Sequence, residues 1–218
     1  MSERGYYAAF LDLRGRECVV LGGGESAAAK ARGLLEAGAV VRVYAAHPCA
    51  ALLGLAMVLV RRDYRPGDLA GAFLAIDASE DEAIHRAAHA EALSRRVLLN
   101  VMDRPELCTF IAPALVQRGR LQVAISTSGE SPFLAKAVKA LIERLLGDEW
   151  APFVALLGDA RRRLREARVP LPVQLAVYER LLASTTRERL KRGDIQGAER
   201  AIEAIVQPAL ERARKEAA

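Results

Sequence analysis

Cysteine is scarce. Cys18, Cys49 and Cys108 are the only three in 218 residues, an odd number, widely spaced and without a CxxC pair. That pattern argues against a disulfide framework and fits a reducing cytoplasm. No apolar run reaches the length needed to span a bilayer, and the opening MSERGYYAAFLDLRGRE has no apolar core of the kind a secretory leader requires. No membrane association is expected. Aromatic residues make up 5% of the chain, and the basic tail offers only Trp150 and Tyr178 as clear stacking platforms. A nucleic-acid partner is therefore not expected. There are three histidines, and there is neither a low-complexity tract nor an internal repeat.

What is present is ordinary globular composition, 52% hydrophobic and 27% charged. It is enough for a real core and suits one domain with a second, smaller one. The net charge of +5 favours acidic partners of any kind, macromolecular or small. Much of the excess lies at Arg161, Arg162, Arg163, Arg165 and Arg168, which reads as a solvated helix face.

Cys18-Val19-Val20-Leu21 is a short β-rich run that ends in glycines. A helical stretch follows from Glu25 to Ala37, and Gly38 stops it. Val40 to Tyr44 is the next strand, completing a βαβ unit. Further strands are expected at Met57–Val60, Ala72–Ile76 and Val97–Val101. A helix is expected from Ser79, with Glu82 completing a capping box, to about Arg95. The alternation predicts an α/β fold with a Rossmann-type parallel sheet. The character changes near Pro113. One more strand is expected at Leu121–Ile125, then a helix from Phe133 to Leu146 with Pro132 at its first position. Beyond Asp148 only helices are predicted, broken near Pro170, Pro172, Gly193 and Pro208. This gives three parts: a dinucleotide-binding domain over 1–113, a small α/β segment over 114–148 and a helical C-terminal domain over 149–218.

Gly22-x-Gly24-x-x-Ala27 directly follows a strand and opens a helix, the context a dinucleotide fingerprint requires. Gly22 permits a tight turn, Gly24 lets backbone approach a pyrophosphate, and Ala27 keeps helix and sheet close. Gly23 shares the loop. The acid that usually reads the adenosine ribose is missing: the second strand ends Tyr44-Ala45-Ala46-His47. Arg42 can be read as a clamp for a 2′-phosphate or as a surface charge, so these residues leave NAD or NADP open.

Three linked motifs carry a family resemblance. The glycine loop continues into Ala28-Ala29-Lys30-Ala31-Arg32. Asn100-Val101-Met102-Asp103 leads to Phe110-Ile111-Ala112-Pro113. Val123-Ala124-Ile125-Ser126-Thr127-Ser128-Gly129-Glu130-Ser131-Pro132 follows. In order and distance these resemble precorrin-2 dehydrogenases, the siroheme synthase N-terminal type, strongly over residues 6–146 and weakly in the tail. The resemblance implies NAD-dependent oxidation of precorrin-2 to sirohydrochlorin; some members also insert ferrous iron, a step left open here. It implies a homodimer joined largely through residues 114–148, an NAD site lined by Glu25, Ser26, Ala46 and His47, and a catalytic aspartate at Asp103. The chain departs from the pattern at Ser128, where glycine is common, and at Ala45-Ala46-His47, where many members carry an acid. No methyltransferase domain occurs in these residues, so the step that makes precorrin-2 is not expected of them.

Precorrin-2 carries eight carboxylates, and its oxidation removes a hydride and a proton. Asp103, two residues past the fifth strand, is placed to take a proton; otherwise it is a turn residue. Asn100 is a candidate substrate contact or a backbone brace. Ser126, Thr127 and Ser128 precede a helix, where hydroxyls and free N–H groups can receive carboxylates, while Ser131 caps. Arg14, Arg118 and Arg120 are further candidate carboxylate partners. His85 and His89, one helical turn apart, read as a solvated face rather than a metal pair, and no metal site is expected. The competing reading is an NAD-binding sensor without catalysis, which would need neither the Asn100–Asp103 nor the Ser126–Pro132 motif.

Overall fold

The computed structural model describes residues 5–217. The first four residues of the opening stretch, where no leader is expected, and Ala218 of the tail lie outside them. The chain forms two compact units, Met1–Ala112 and Pro113–Ala218.

In the first unit, β1 (Glu17–Leu21), β2 (Val40–Tyr44), β3 (Val58–Val60), β4 (Leu74–Asp77) and β5 (Leu98–Val101) form one parallel sheet in the order β3-β2-β1-β4-β5. Helices α1 (Glu25–Glu36), α2 (Ala50–Leu53) and α3 (Glu82–Arg95) connect the strands, with a short 3₁₀ turn at Pro105–Leu107. The expected Rossmann-type sheet is observed, and α2 is an addition to it. Strand alternation sends Cys18 and Val20 to one face, against Ala27, Ala28, Ala31 and Leu34 of α1. Val19 and Leu21 go to the other, against Ala88 and Ala92 of α3. Ala27, Ala28 and Ala31 let the first two turns of α1 pack close to the sheet. Burial pushes the Cys18 thiol up to about 11, with Glu17 adding to the effect. All three cysteines are free.

Strand order reverses at β1, which pairs with β2 on one side and β4 on the other. The carboxyl ends of β1 and β4 therefore open the crevice in which open α/β sheets bind ligands.

Two local expectations change here. Ser79 does not cap α3; Asp81 does, accepting from the N–H groups of Ala83 at 2.7 Å and Ile84 at 3.3 Å. Asp81 is the last residue before the helix and its carboxylate reaches both free donors, while Ser79 bonds to Asp77 instead. The His85/His89 face is not solvated: His85 is buried, and His89 Nδ1 lies 2.8 Å from the Leu107 carbonyl.

In the second unit, β6 (Ala114–Arg118) and β7 (Leu121–Ile125) form an antiparallel hairpin. The expected lone strand is thus half of a pair. Gly119, at φ +57°, makes the turn, and a Cβ there would crowd Ala151 at 3.0 Å. Helix α4 (Pro132–Leu145) follows, with Ser131 as its cap. Arg118 donates to the carbonyls of Leu146 at 2.8 Å and Glu143 at 3.2 Å. It closes the end of α4, a capping role in place of the expected contact to substrate carboxylates. The tail is α5 (Trp150–Glu166), α6 (Leu171–Leu182), α7 (Thr186–Lys191) and α8 (Ile195–Ala217), built around Ala160, Leu164, Leu181, Ile202 and Val206. Pro208 lies inside α8 and does not end it. Val206, Ala209 and Leu210 are buried on either side of it, and that packing offsets the lost hydrogen bond, about 3 kcal/mol. Among the described residues, no helix is long and apolar enough to cross a membrane.

Candidate functional site

A cleft of about 830 Å³ opens at the carboxyl edge of the parallel sheet. One wall is the glycine loop. Gly22 sits at φ +112°, and a Cβ there would meet the Ala78 carbonyl oxygen at 2.6 Å. A Cβ on Gly23 would collide with the His47 carbonyl. Both positions demand glycine for the fold itself. Gly24 differs: nothing lies within 4 Å of its would-be Cβ, so its missing side chain leaves open space toward the cleft. Gly24 is also the N-cap of α1, with no side-chain hydrogen bond to cap it. The first amides of α1 therefore remain free donors at the positive end of the helix dipole, beside a space that a Cβ would narrow. That cradle fits a pyrophosphate.

Glu25, Ser26, Ala46 and His47 line the same cleft, as expected for cofactor contacts, and so does Asp103. The other wall is the turn after β4, from Ala78 to Asp81. Behind it stands a buried polar cluster. Asp77, fully buried, accepts from Ser79 N–H at 2.9 Å, Ser79 Oγ at 2.7 Å and His85 Nδ1 at 2.8 Å. Among the described residues, the lining carries five carboxylates, Glu25, Asp63, Glu80, Asp81 and Asp103, and no lysine or arginine. A phosphate held here meets backbone amides and neutral side-chain donors such as Ser26 rather than a lysine or arginine.

Asp103 has φ +59°, a left-handed conformation that aspartate tolerates better than most residues. It follows β5 directly through Met102 and is exposed at the cleft. Arg104 beside it is fixed by Glu82 at 2.5 Å, which ties the turn to the first turn of α3.

Comparison with known proteins agrees with this geometry. Residues 9–114 match a family model described as putative NAD(P)-binding, and residues 118–145 match one described as sirohaem biosynthesis protein central. The chain is 36% identical over 198 residues to the siroheme synthase of Pseudomonas paraeruginosa (strain DSM 24068 / PA7), covering 89% of this chain and 43% of that protein. It is 38% identical over 208 residues to the siroheme synthase of Azotobacter vinelandii (strain DJ / ATCC BAA-1303), covering 91% and 44%. The solved structure of "SirC, precorrin-2 dehydrogenase" superimposes with a TM-score of 0.74 at 25% identity, covering 89% of this chain and all of that one. By these matches the chain is similar to siroheme synthases and to the precorrin-2 dehydrogenase family. It spans under half the length of the curated siroheme synthases it matches. As in that family, its first unit is a nicotinamide-dinucleotide-binding domain.

The remaining candidates fall elsewhere. Asn100 is buried at the end of β5 and does not line the cleft; its amide donates to the Phe110 carbonyl at 3.2 Å, bracing the loop after β5. Ser126, Thr127 and Ser128 lie in the second unit, between β7 and α4. Ser126 Oγ accepts from Ser128 N–H at 3.0 Å and Thr127 Oγ1 from Ser131 N–H at 3.1 Å, leaving both hydroxyl protons free to donate. Ser128 has φ +53°, which explains why glycine suits that position. Arg14 pairs with Asp12 at 2.6 Å on the surface. Arg42 pairs with Glu17 at 2.5 Å and does not line the cleft. Reasoning from the sequence missed Asp63, a lining residue with no motif of its own.

Proposed function

We propose that this chain oxidises precorrin-2 to sirohydrochlorin in siroheme biosynthesis, with NAD as the oxidant. The observation that carries the reading is Asp103, which stands in the same cleft as the uncapped amino end of α1 and the open space at Gly24. Bound NAD supplies the hydride acceptor. The chain's own groups do the rest. The glycine loop and the α1 amides hold the pyrophosphate. Asp103 accepts the proton released as the substrate loses a hydride. Ser126, Thr127 and Ser128 donate to substrate carboxylates, and Asn100 keeps the loop beyond β5 in place. NAD is favoured over NADP because Arg42 is engaged by Glu17 and Arg62 by Asp68, leaving no lysine or arginine among the described residues of the lining for a 2′-phosphate.

The reading includes a division of labour among residues 1–113, 114–148 and 149–218, and a homodimer in a reducing cytoplasm. Helix α4 supports the dimer. It has no buried residue, and Phe133 is 86% and Leu145 67% exposed, with Leu134 and Leu141 beside them. An apolar helix face of this kind suits an isologous interface between copies of the chain. Sedimentation at micromolar concentration should give twice the chain mass, and Phe133→Glu with Leu145→Glu should give the monomer.

The deciding experiment mixes the protein with NAD and precorrin-2 without air and follows NADH. Stoichiometric NADH with sirohydrochlorin supports the reading. No NADH from a folded, NAD-binding protein leaves a dinucleotide sensor as the alternative.

A further inference from the structure

The second strand of this domain ends without the acid that dinucleotide-binding domains normally place there to bond the adenosine ribose. The fold brings another acid to that place. Strand β3 runs parallel to β2, with Tyr44 opposite Val60, and the pairing continues as Ala45 N–H donates to the Val60 carbonyl at 3.1 Å. Three residues past Val60, the Asp63 carboxylate reaches across to Ala46, whose N–H lies 3.4 Å from Asp63 Oδ1. Ala46 and His47 adjoin the glycine loop, since Cys49 N–H donates to the Gly23 carbonyl at 2.8 Å. Asp63 therefore lines the cleft at the end of β2, where a ribose acid would stand.

The flanking residues hold it there. Arg62 grips both Asp68 oxygens, at 2.6 and 2.7 Å, and donates to the backbone carbonyl of Asp63 at 2.9 Å. Tyr64 is buried, with its hydroxyl donating to Glu91 at 2.6 Å. The residues on both sides are anchored, and the Asp63 carboxylate between them is exposed. Apart from the long contact to Ala46, it has no described partner. Arg61 and Arg65 are exposed and do not line the cleft, and among the described residues no cation pairs with the Asp63 carboxylate.

We infer that Asp63 is the specificity-determining residue for the dinucleotide: its carboxylate accepts hydrogen bonds from the adenosine ribose hydroxyls and repels a 2′-phosphate. The inference rests on the dinucleotide reading of the cleft. It makes the ribose acid a gift of the neighbouring strand, so loss of the acid on β2 does not relax selectivity.

The test is titration calorimetry of the full chain with NAD, NADP and 2′-deoxy-NAD, for the parent, Asp63→Asn and Asp63→Ala. Asp63 is exposed, so thermal melting should show all three proteins folded alike. The parent should bind NAD about a hundredfold tighter than NADP, because like charges oppose the phosphate. It should also discriminate against 2′-deoxy-NAD by about tenfold, the value of a charged hydrogen bond. Asp63→Asn should collapse the NAD/NADP ratio, and Asp63→Ala should lose the 2′-deoxy discrimination as well. A parent that prefers NADP, that binds neither dinucleotide, or whose ratio both variants retain overturns the inference. A parent that shows the expected ratios yet leaves precorrin-2 unoxidised overturns the dehydrogenase reading and leaves the role of Asp63 standing.

Discussion

Asp77 and His85 meet behind the cleft wall, Oδ2 to Nδ1 at 2.8 Å, with Asp77 wholly buried and His85 5% exposed. The bond joins the end of β4 to the first turn of α3, and the cleft-lining turn from Ala78 to Asp81 is strung between them. A carboxylate buried this deeply depends on each of its donors. His85→Ala leaves it only the two from Ser79. The variant should lose about 2–4 kcal/mol of stability, read as a lower urea midpoint. NAD affinity should fall with it, because the turn loses its anchor. An unchanged midpoint would mean that the carboxylate is satisfied without the histidine.

The glycines of the loop separate a folding role from a binding one. Gly23→Ala drives a methyl group into the His47 carbonyl, so the end of β2 must shift and stability should drop. Gly24→Ala meets nothing within 4 Å and should melt like the parent while weakening NAD. Gly24→Asp should weaken it by orders of magnitude, since a carboxylate then faces the pyrophosphate. Calorimetry beside melting curves separates the two positions. If Gly24→Asp binds NAD like the parent, the loop is not part of the site.

Glu91 makes a pH-dependent latch. Burial alone would raise its pKa, but donation from Tyr64 OH at 2.6 Å, from Gly67 N–H at 2.8 Å and from Arg95 at 2.7 Å outweighs burial and holds it below the ordinary glutamate range. A depressed folded pKa means that the stabilisation is complete above the unfolded value, about 4.3, and is lost as pH falls through the lower folded one. Glu91→Gln should cost about 1–3 kcal/mol near pH 7. Its urea midpoint should approach that of the parent as the pH is taken down toward 3. A gap that stays constant with pH would mean that the charge contributes nothing and only the shape matters.

Local signals carried much of this architecture. The glycine loop, the strand pattern and the Asn100–Asp103 stretch are contiguous, and each has a period or a turn residue that chemistry dictates. What escaped depends on distant chain. Asp63 becomes a site residue only because β3 lies beside β2, a pairing no residue near Asp63 announces. His85 reads as surface until Asp77, eight residues earlier, is seen to end inside the sheet. Strand β6 is short and follows a proline, so its pairing with β7 shows only in the register from Ala114 opposite Ile125 to Arg118 opposite Leu121. Pro208 misled because helix-breaking propensity is smaller than the packing on both sides of it. The Asn100 amide illustrates the converse: a polar residue at a strand end looks like a ligand contact, yet its bond to Phe110 makes it a brace.

Asp103 can be tested without disturbing its backbone. At φ +59°, alanine would add strain of its own, whereas asparagine tolerates the left-handed region about as well as aspartate. Asp103→Asn therefore removes the negative charge and the basicity while keeping size and backbone. The side chain is exposed and makes no hydrogen bond among the described residues, so the melting temperature should hold. NAD affinity should also stay close to that of the parent, because the pyrophosphate cradle is built from the glycine loop and α1. Turnover is what should fall, by about a hundredfold to ten-thousandfold, the usual cost of losing a general base. The fall should appear in kcat, measured anaerobically as NADH formed from precorrin-2. Asp103→Glu keeps a carboxylate and should recover part of the rate, which a purely conformational role would not produce. If Asp103→Asn turns over like the parent, the proton leaves by another route and Asp103 is only the residue that lets the chain turn after β5.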